Sequence, residues 1–126
     1  MELTSRNYPP VKILALSGSF INTTAATARQ WLEEATANRP AYLVVDLSDV
    51  RFMDSTGLST LVHAMKRARA LTGDLRLCGL QQPVRMIFEM TRLDQIFEIF
   101  NQVDDAIQAF GVSEQPLVDK DKGLTP

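Results

Sequence analysis

With 126 residues, 45% of them hydrophobic and 22% charged, the chain has the composition of one globular domain, long enough to bury a core without staples. Its net charge of −2, from 13 basic against 15 acidic residues, argues against a dedicated nucleic-acid binder, which needs a strong positive excess. A single cysteine, Cys78, excludes an internal disulfide and suits a reducing cytosol, a single histidine, His63, cannot build a multi-histidine metal site, and neither a secretory signal nor a membrane-spanning apolar run is visible.

In chain order, Glu2 to Arg6 fits an edge strand, turned at Asn7 to Pro10 into a second strand, Val11 to Ser17. Gly18 is expected to end that strand, with Ile13 and Ala15 on one face and Leu14 and Leu16 on the other. Ala28, Trp31, Leu32 and Ala35 follow the i, i+3, i+4, i+7 spacing of an amphipathic helix, which Asn22, Thr23 or Thr24 would cap. It stops before Pro40. Ala41 to Leu47 is almost wholly apolar, as a central parallel strand buried on both faces would be.

Helical spacing returns with Leu58, Leu61, Val62, Met65 and Ala68, which leaves Lys66, Arg67 and Arg69 on the wet face. Gly73 and Asp74 form a turn, and Leu75 to Leu80 reads as a strand whose Arg76 would join that solvated basic set. Pro83 suits the first turn of a third helix, because its missing N–H has no helical partner there, and Val84, Ile87, Phe88 and Thr91 form the inner stripe. Phe97 to Phe100 alternates as a short strand. Asp104 and Asp105 favour the positive end of a last helix, carried by Val103, Ala106, Ile107 and Phe110 and closed by Gly111. From Val112 to Pro126 periodicity vanishes, so the expected organisation is one domain over 1–111 and a flexible tail over 112–126.

Strands alternating with helices imply an α/β fold: a mostly parallel central sheet with right-handed crossovers, an N-terminal antiparallel edge strand and about four helices. Function in such sheets gathers beyond the carboxyl ends of the strands. The hexapeptide "MDSTGL", Met53 to Leu58, lies there. Asp54 or Ser55 can accept from the free N–H groups of the next helix, a cap worth about 1 kcal/mol. Gly57 in a first helical turn costs up to about 1 kcal/mol against alanine, which calls for tight packing of the turn or close approach by another molecule's backbone. A phosphate on Ser55 would be tolerated by the helix dipole while adding two negative charges to the surface. Residue types alone leave both readings open, a capped turn and a phosphosite.

The stretch "VVDLSDVRFMDSTGLSTLVHAMKRARALTGDLRLCGL" resembles, nearly position for position, the heart of the STAS domain of bacterial anti-sigma factor antagonists, and the resemblance runs from about Val11 to Phe110. It implies that Ser55 is the phosphoacceptor, with Asp54, Thr56 and Gly57 shaping its loop. Ser55 rather than Thr56 rests on the resemblance alone. The resemblance further implies a cytoplasmic binding module, not an enzyme, with no metal or cofactor. Its unphosphorylated form would bind an anti-sigma factor serine kinase and free a sigma factor, and a serine phosphatase would reset it. Where the family often reads "G-E-L-D", this chain has Gly18, Ser19, Phe20 and Ile21, so Ile21 replaces an acid and suggests a more apolar partner surface.

Phe20, Ile21 and Asn22 would then join the contact surface, with Phe20 and Ile21 either forming an apolar rim or absorbed by the core. Met86 and Met90 lie off the inner stripe of the third helix and serve either a contact surface or gap-filling. His63, two helical turns from Ser55, is a surface residue and no catalytic base, and Cys78 is a small buried hydrophobe. Two other readings stand beside the switch. One is a phosphorylation-independent STAS scaffold; the other is a small phosphoryl-transfer enzyme using Asp54 and Ser55, disfavoured because no glycine-rich phosphate loop accompanies them. The edge strand leaves a homodimer open.

Overall fold

The computed structural model describes residues 1–111; the tail expected over 112–126 lies outside the described residues. Five strands form one sheet in chain order: β1 (Glu2–Tyr8), β2 (Val11–Phe20), β3 (Tyr42–Met53), β4 (Asp74–Cys78) and β5 (Ile99–Phe100). β1 runs antiparallel to β2 and the remaining pairs are parallel. The helices are α1 (Ala25–Ala35), α2 (Ser55–Ala70), α3 (Gln82–Met90) and α4 (Val103–Gln108), with a 3-10 turn at Leu93–Gln95.

Because each parallel strand lies beside its predecessor, right-handed crossovers carry α1, α2 and α3 to one face of the sheet. There Leu14, Leu16, Leu43, Val45, Leu75 and Leu77 form the main core with Leu32, Leu61, Met65 and Phe88. On the opposite face α4 packs Ala106 and Ile107 over Val11, Ile13, Val44 and Cys78. The central strands are therefore covered on both faces, which is why Ala41 to Leu47 lacks polar alternation.

The sheet is longer toward the site than the sequence suggests. β2 does not stop at Gly18 but runs to Phe20, and β3 continues through Ser48, Asp49 and Arg51 to Met53. The two extensions pair with each other, Gly18 with Val50 and Phe20 with Met53, across two register shifts. Gly18 takes φ +94°, a left-handed conformation that glycine adopts without steric cost. The last predicted strand is shorter than Phe97 to Phe100, with only Ile99 and Phe100 paired to β4.

The basic set is not a uniformly solvated face. Arg67 donates from Nε to the Thr36 hydroxyl at 3.0 Å, which ties α2 to the carboxyl end of α1. Arg69 donates to Asp74 Oδ1 and to the Ile96 carbonyl, both at 2.8 Å. Arg76 points to the α4 face, its guanidinium 4.0 Å from the Phe110 ring centroid and its Nε 3.5 Å from Asp74 Oδ2. Three of the four predicted surface cations thus hold elements together, because each finds a hydroxyl, a carbonyl or a ring beyond its own element.

Candidate functional site

The site is assembled where β2 and β3 end together. β3 stops at Met53, Asp54 takes an extended conformation as the N-cap, and α2 begins at Ser55. Asp54 does two jobs with one carboxylate. Its Oδ1 accepts from the Gly57 amide at 3.0 Å, and its Oδ2 accepts from the Asn22 amide at 2.9 Å. The backbone N–H of Asp54 also donates to the Phe20 carbonyl at 3.3 Å. The cap therefore clamps the β2–α1 loop to the start of α2. The Gly57 amide holds the Asp54 carboxyl below its ordinary value of 3.8; partial desolvation opposes this, and the Asn22 amide adds to the lowering.

The loop facing this clamp is itself closed on Thr24, whose hydroxyl donates to the Ser19 carbonyl at 2.7 Å and accepts from the Ile21 amide at 3.0 Å. Thr24 is the N-cap of α1, yet its side chain serves the loop and not the helix. Asn22 enters the site through its backbone, and Ile21 is half-buried.

Gly57 is buried, and a Cβ built on it would overlap the Phe20 carbonyl oxygen and lie 2.8 Å from Met53 Cγ. Close packing within the chain accounts for the glycine. Phe20 is likewise fully buried, and an exposed apolar rim made by it is overturned, because β2 extends far enough to place it in the core. The exposed aromatic at this end is Phe52, 52% accessible and paired with Ser19 on the neighbouring strand. Phe52 falls outside the apolar run Ala41 to Leu47 from which the strand is read in the sequence.

Ser55, by contrast, is exposed, and its hydroxyl makes no hydrogen bond among the described residues. Ser55 and Thr56 face different ways. Ser55 opens a shallow groove of about 410 Å³ along the outer side of α2, lined by Leu58, Val62, His63, Lys66 and Leu93. Thr56 is half-buried and lines a separate cleft of about 320 Å³ between α1 and α2, with Arg29, Glu33, Thr60, His63 and Arg67. Leu58 and Val62, read from spacing as inner residues, are only partly buried and floor the Ser55 groove. Met86 and Met90 on α3 stand 49% and 76% exposed, so they fill no gap in the core.

His63 is exposed on α2. Cys78 is buried, its thiol pushed up to about 12 chiefly by desolvation, with the Asp46 charge adding to the rise. Among the described residues there is no helix long and apolar enough to cross a membrane, and no cluster of three or more His, Cys, Asp or Glu side chains disposed to hold a metal ion.

Comparison with known proteins agrees with this architecture. The STAS domain family model matches residues 2–106. An anti-sigma-B factor antagonist of Listeria monocytogenes is 34% identical over 101 residues, covering 80% of this chain and 88% of the relative. The crystal structure of an anti-sigma factor antagonist from Mycobacterium paratuberculosis superposes with a TM-score of 0.79 at 27% identity, covering 88% of this chain and 94% of that one. The phosphorylated form of the Bacillus cell fate determinant SpoIIAA shares the fold, with a TM-score of 0.68 at 17% identity and coverage of 86% and 98%.

Proposed function

The chain belongs to the STAS domain family, in the company of anti-sigma factor antagonists, and from that premise we propose that it is a cytoplasmic binding module switched by phosphorylation at Ser55. Unphosphorylated, it docks onto an anti-sigma factor serine kinase and frees a sigma factor. Once Ser55 carries a phosphate the complex dissociates, and a serine phosphatase restores the docking form. The protein is read as a partner and substrate of enzymes, performing no turnover itself.

One observation carries this reading: the Ser55 hydroxyl is exposed and makes no hydrogen bond among the described residues, while both oxygens of the adjacent Asp54 hold the loop and the helix start. A phosphate there breaks no internal hydrogen bond, and it sits at the positive end of the 16-residue helix α2, where an anion is favoured. It also adds two negative charges next to an ionised carboxylate, which a partner surface fitted to a neutral hydroxyl would have to desolvate. The groove starting at Ser55 supplies the apolar contact through Leu58, Val62 and Leu93. Thr56 faces the α1 cleft, which supports Ser55 over Thr56 as the acceptor.

The test is phosphate transfer. Incubation with the anti-sigma factor kinase of the same organism and ATP should add one phosphate by intact mass, mapped to the peptide carrying Ser55 and absent from Ser55→Ala. Binding of that kinase without any uptake of phosphate would favour the phosphorylation-independent scaffold, the reading to which Ile21 in place of the family's acid lends weight.

A further inference from the structure

β1 is the outermost strand of the sheet, and nothing among the described residues pairs with its outer edge. Apart from the half-buried Leu3, every residue of the strand is exposed. An uncovered edge of this length presents a row of backbone donors and acceptors in strand geometry, and the partner such a row fits is another strand. Its side chains are sorted by face. Leu3 sits opposite Leu16 and packs on the main core, so Leu3, Ser5 and Asn7 lie on the α1–α3 side. Glu2, Thr4 and Arg6 lie on the other face, the one on which α4 covers Val11 and Ile13.

Glu2 and Arg6 are the only charged residues of β1, they have opposite signs, and both are exposed. Among the described residues neither is held in an ion pair. A two-fold axis perpendicular to the sheet joins two such edges antiparallel and keeps each face continuous, so even-numbered residues meet even-numbered ones. With the axis at Thr4, Glu2 of each copy lies opposite Arg6 of the other, Thr4 lies opposite Thr4, and Leu3 lies opposite Ser5. This register pairs every charge on the strand with an opposite one and adds a Thr–Thr pair at its centre, both favourable cross-strand combinations. Sliding one strand by two residues in either direction removes both ion pairs.

We infer that β1 is a self-association edge: a second copy of this chain pairs with it antiparallel about Thr4, joined by reciprocal Glu2–Arg6 contacts, so that two five-stranded sheets become one continuous sheet. The inference stands independently of the switch at Ser55.

Charge reversal across the dyad tests it. The full chain should show a concentration-dependent monomer–dimer equilibrium in sedimentation, weakened by salt, with amides 2–6 gaining hydrogen-exchange protection as concentration rises. Glu2→Arg and Arg6→Glu each turn two attractive contacts into repulsive ones and should raise the dimer dissociation constant about tenfold. Mixing the two variants should restore dimers as heterodimers, and the doubly reversed chain should dimerise like the parent. Circular dichroism of each variant checks that the monomer stays folded. A parent that remains monomeric at all concentrations, single variants that dimerise as well as the parent, or a mixture that fails to recover would each overturn the proposal.

Discussion

Asp54 illustrates how much one side chain can determine at a helix start. Its two oxygens accept from amides in different segments, so the carboxylate both caps α2 and fixes the β2–α1 loop beside it. In the folded protein this carboxyl titrates below the value of 3.8 that it takes in an unfolded chain. Between the two values the unfolded chain binds the extra proton, so the contribution to stability is complete above the unfolded value and lost as pH falls through the folded one. Asp54→Asn should lower stability at neutral pH, because its amide nitrogen faces one of two N–H donors, and should flatten the acid limb of a urea-midpoint profile over about pH 2–6. An acid limb identical to that of the parent would show that Asp54 does not govern it. Gly57 is set by the same geometry from the other side, since the Phe20 carbonyl occupies the space any Cβ would need.

At the scale of elements, the helices are joined by side chains that reach from one to the next. Arg67 on α2 meets Thr36 just beyond α1, and the Thr36 hydroxyl passes the connection on by donating to the Leu32 carbonyl at 2.7 Å. A carboxyl-terminal cation also suits the negative end of α1. Thr36→Val and Arg67→Met should therefore be non-additive, with a coupling on the order of 1 kcal/mol in a double-mutant cycle read by urea unfolding. Strictly additive effects would mean that the 3.0 Å contact contributes nothing in solution. The helix–strand alternation itself was legible because each inner stripe, such as Val84 with Phe88, repeats at helical spacing. The far ends of β2 and β3 were not. Asp49, Val50, Phe52 and Met53 join β3 only by pairing with Ser17 through Phe20, and no local pattern announces partners so distant in the chain.

For the whole molecule, the question is whether binding can be lost while the fold is kept. Three helices on one face and α4 on the other bury the core, and the floor of the Ser55 groove, Leu58 and Val62, is only partly buried against it. Charge added at Ser55 thus falls on a surface from which little of the fold depends. Ser55→Asp should weaken binding to the anti-sigma factor kinase by about two orders of magnitude, corresponding to roughly 3 kcal/mol, while the thermal midpoint moves by no more than about 2 °C. Calorimetric titration beside a melting curve separates the two effects. Parent-like affinity, or weak binding accompanied by a collapsed midpoint, would each contradict the switch.

The order of strands and helices, the antiparallel first strand, the place of "MDSTGL" at a helix start and its family likeness were all readable in the amino-acid sequence, since periodicity, caps and motifs are local properties. Tertiary structure alone decided that Phe20 is buried while Phe52 is exposed, that Gly57 answers to its own chain's backbone, and that Arg67, Arg69 and Arg76 bind neighbouring elements. Those outcomes depend on which segments meet in space: a side chain's type is written in one dimension, whereas its burial and its partners are set by residues that only folding brings within reach.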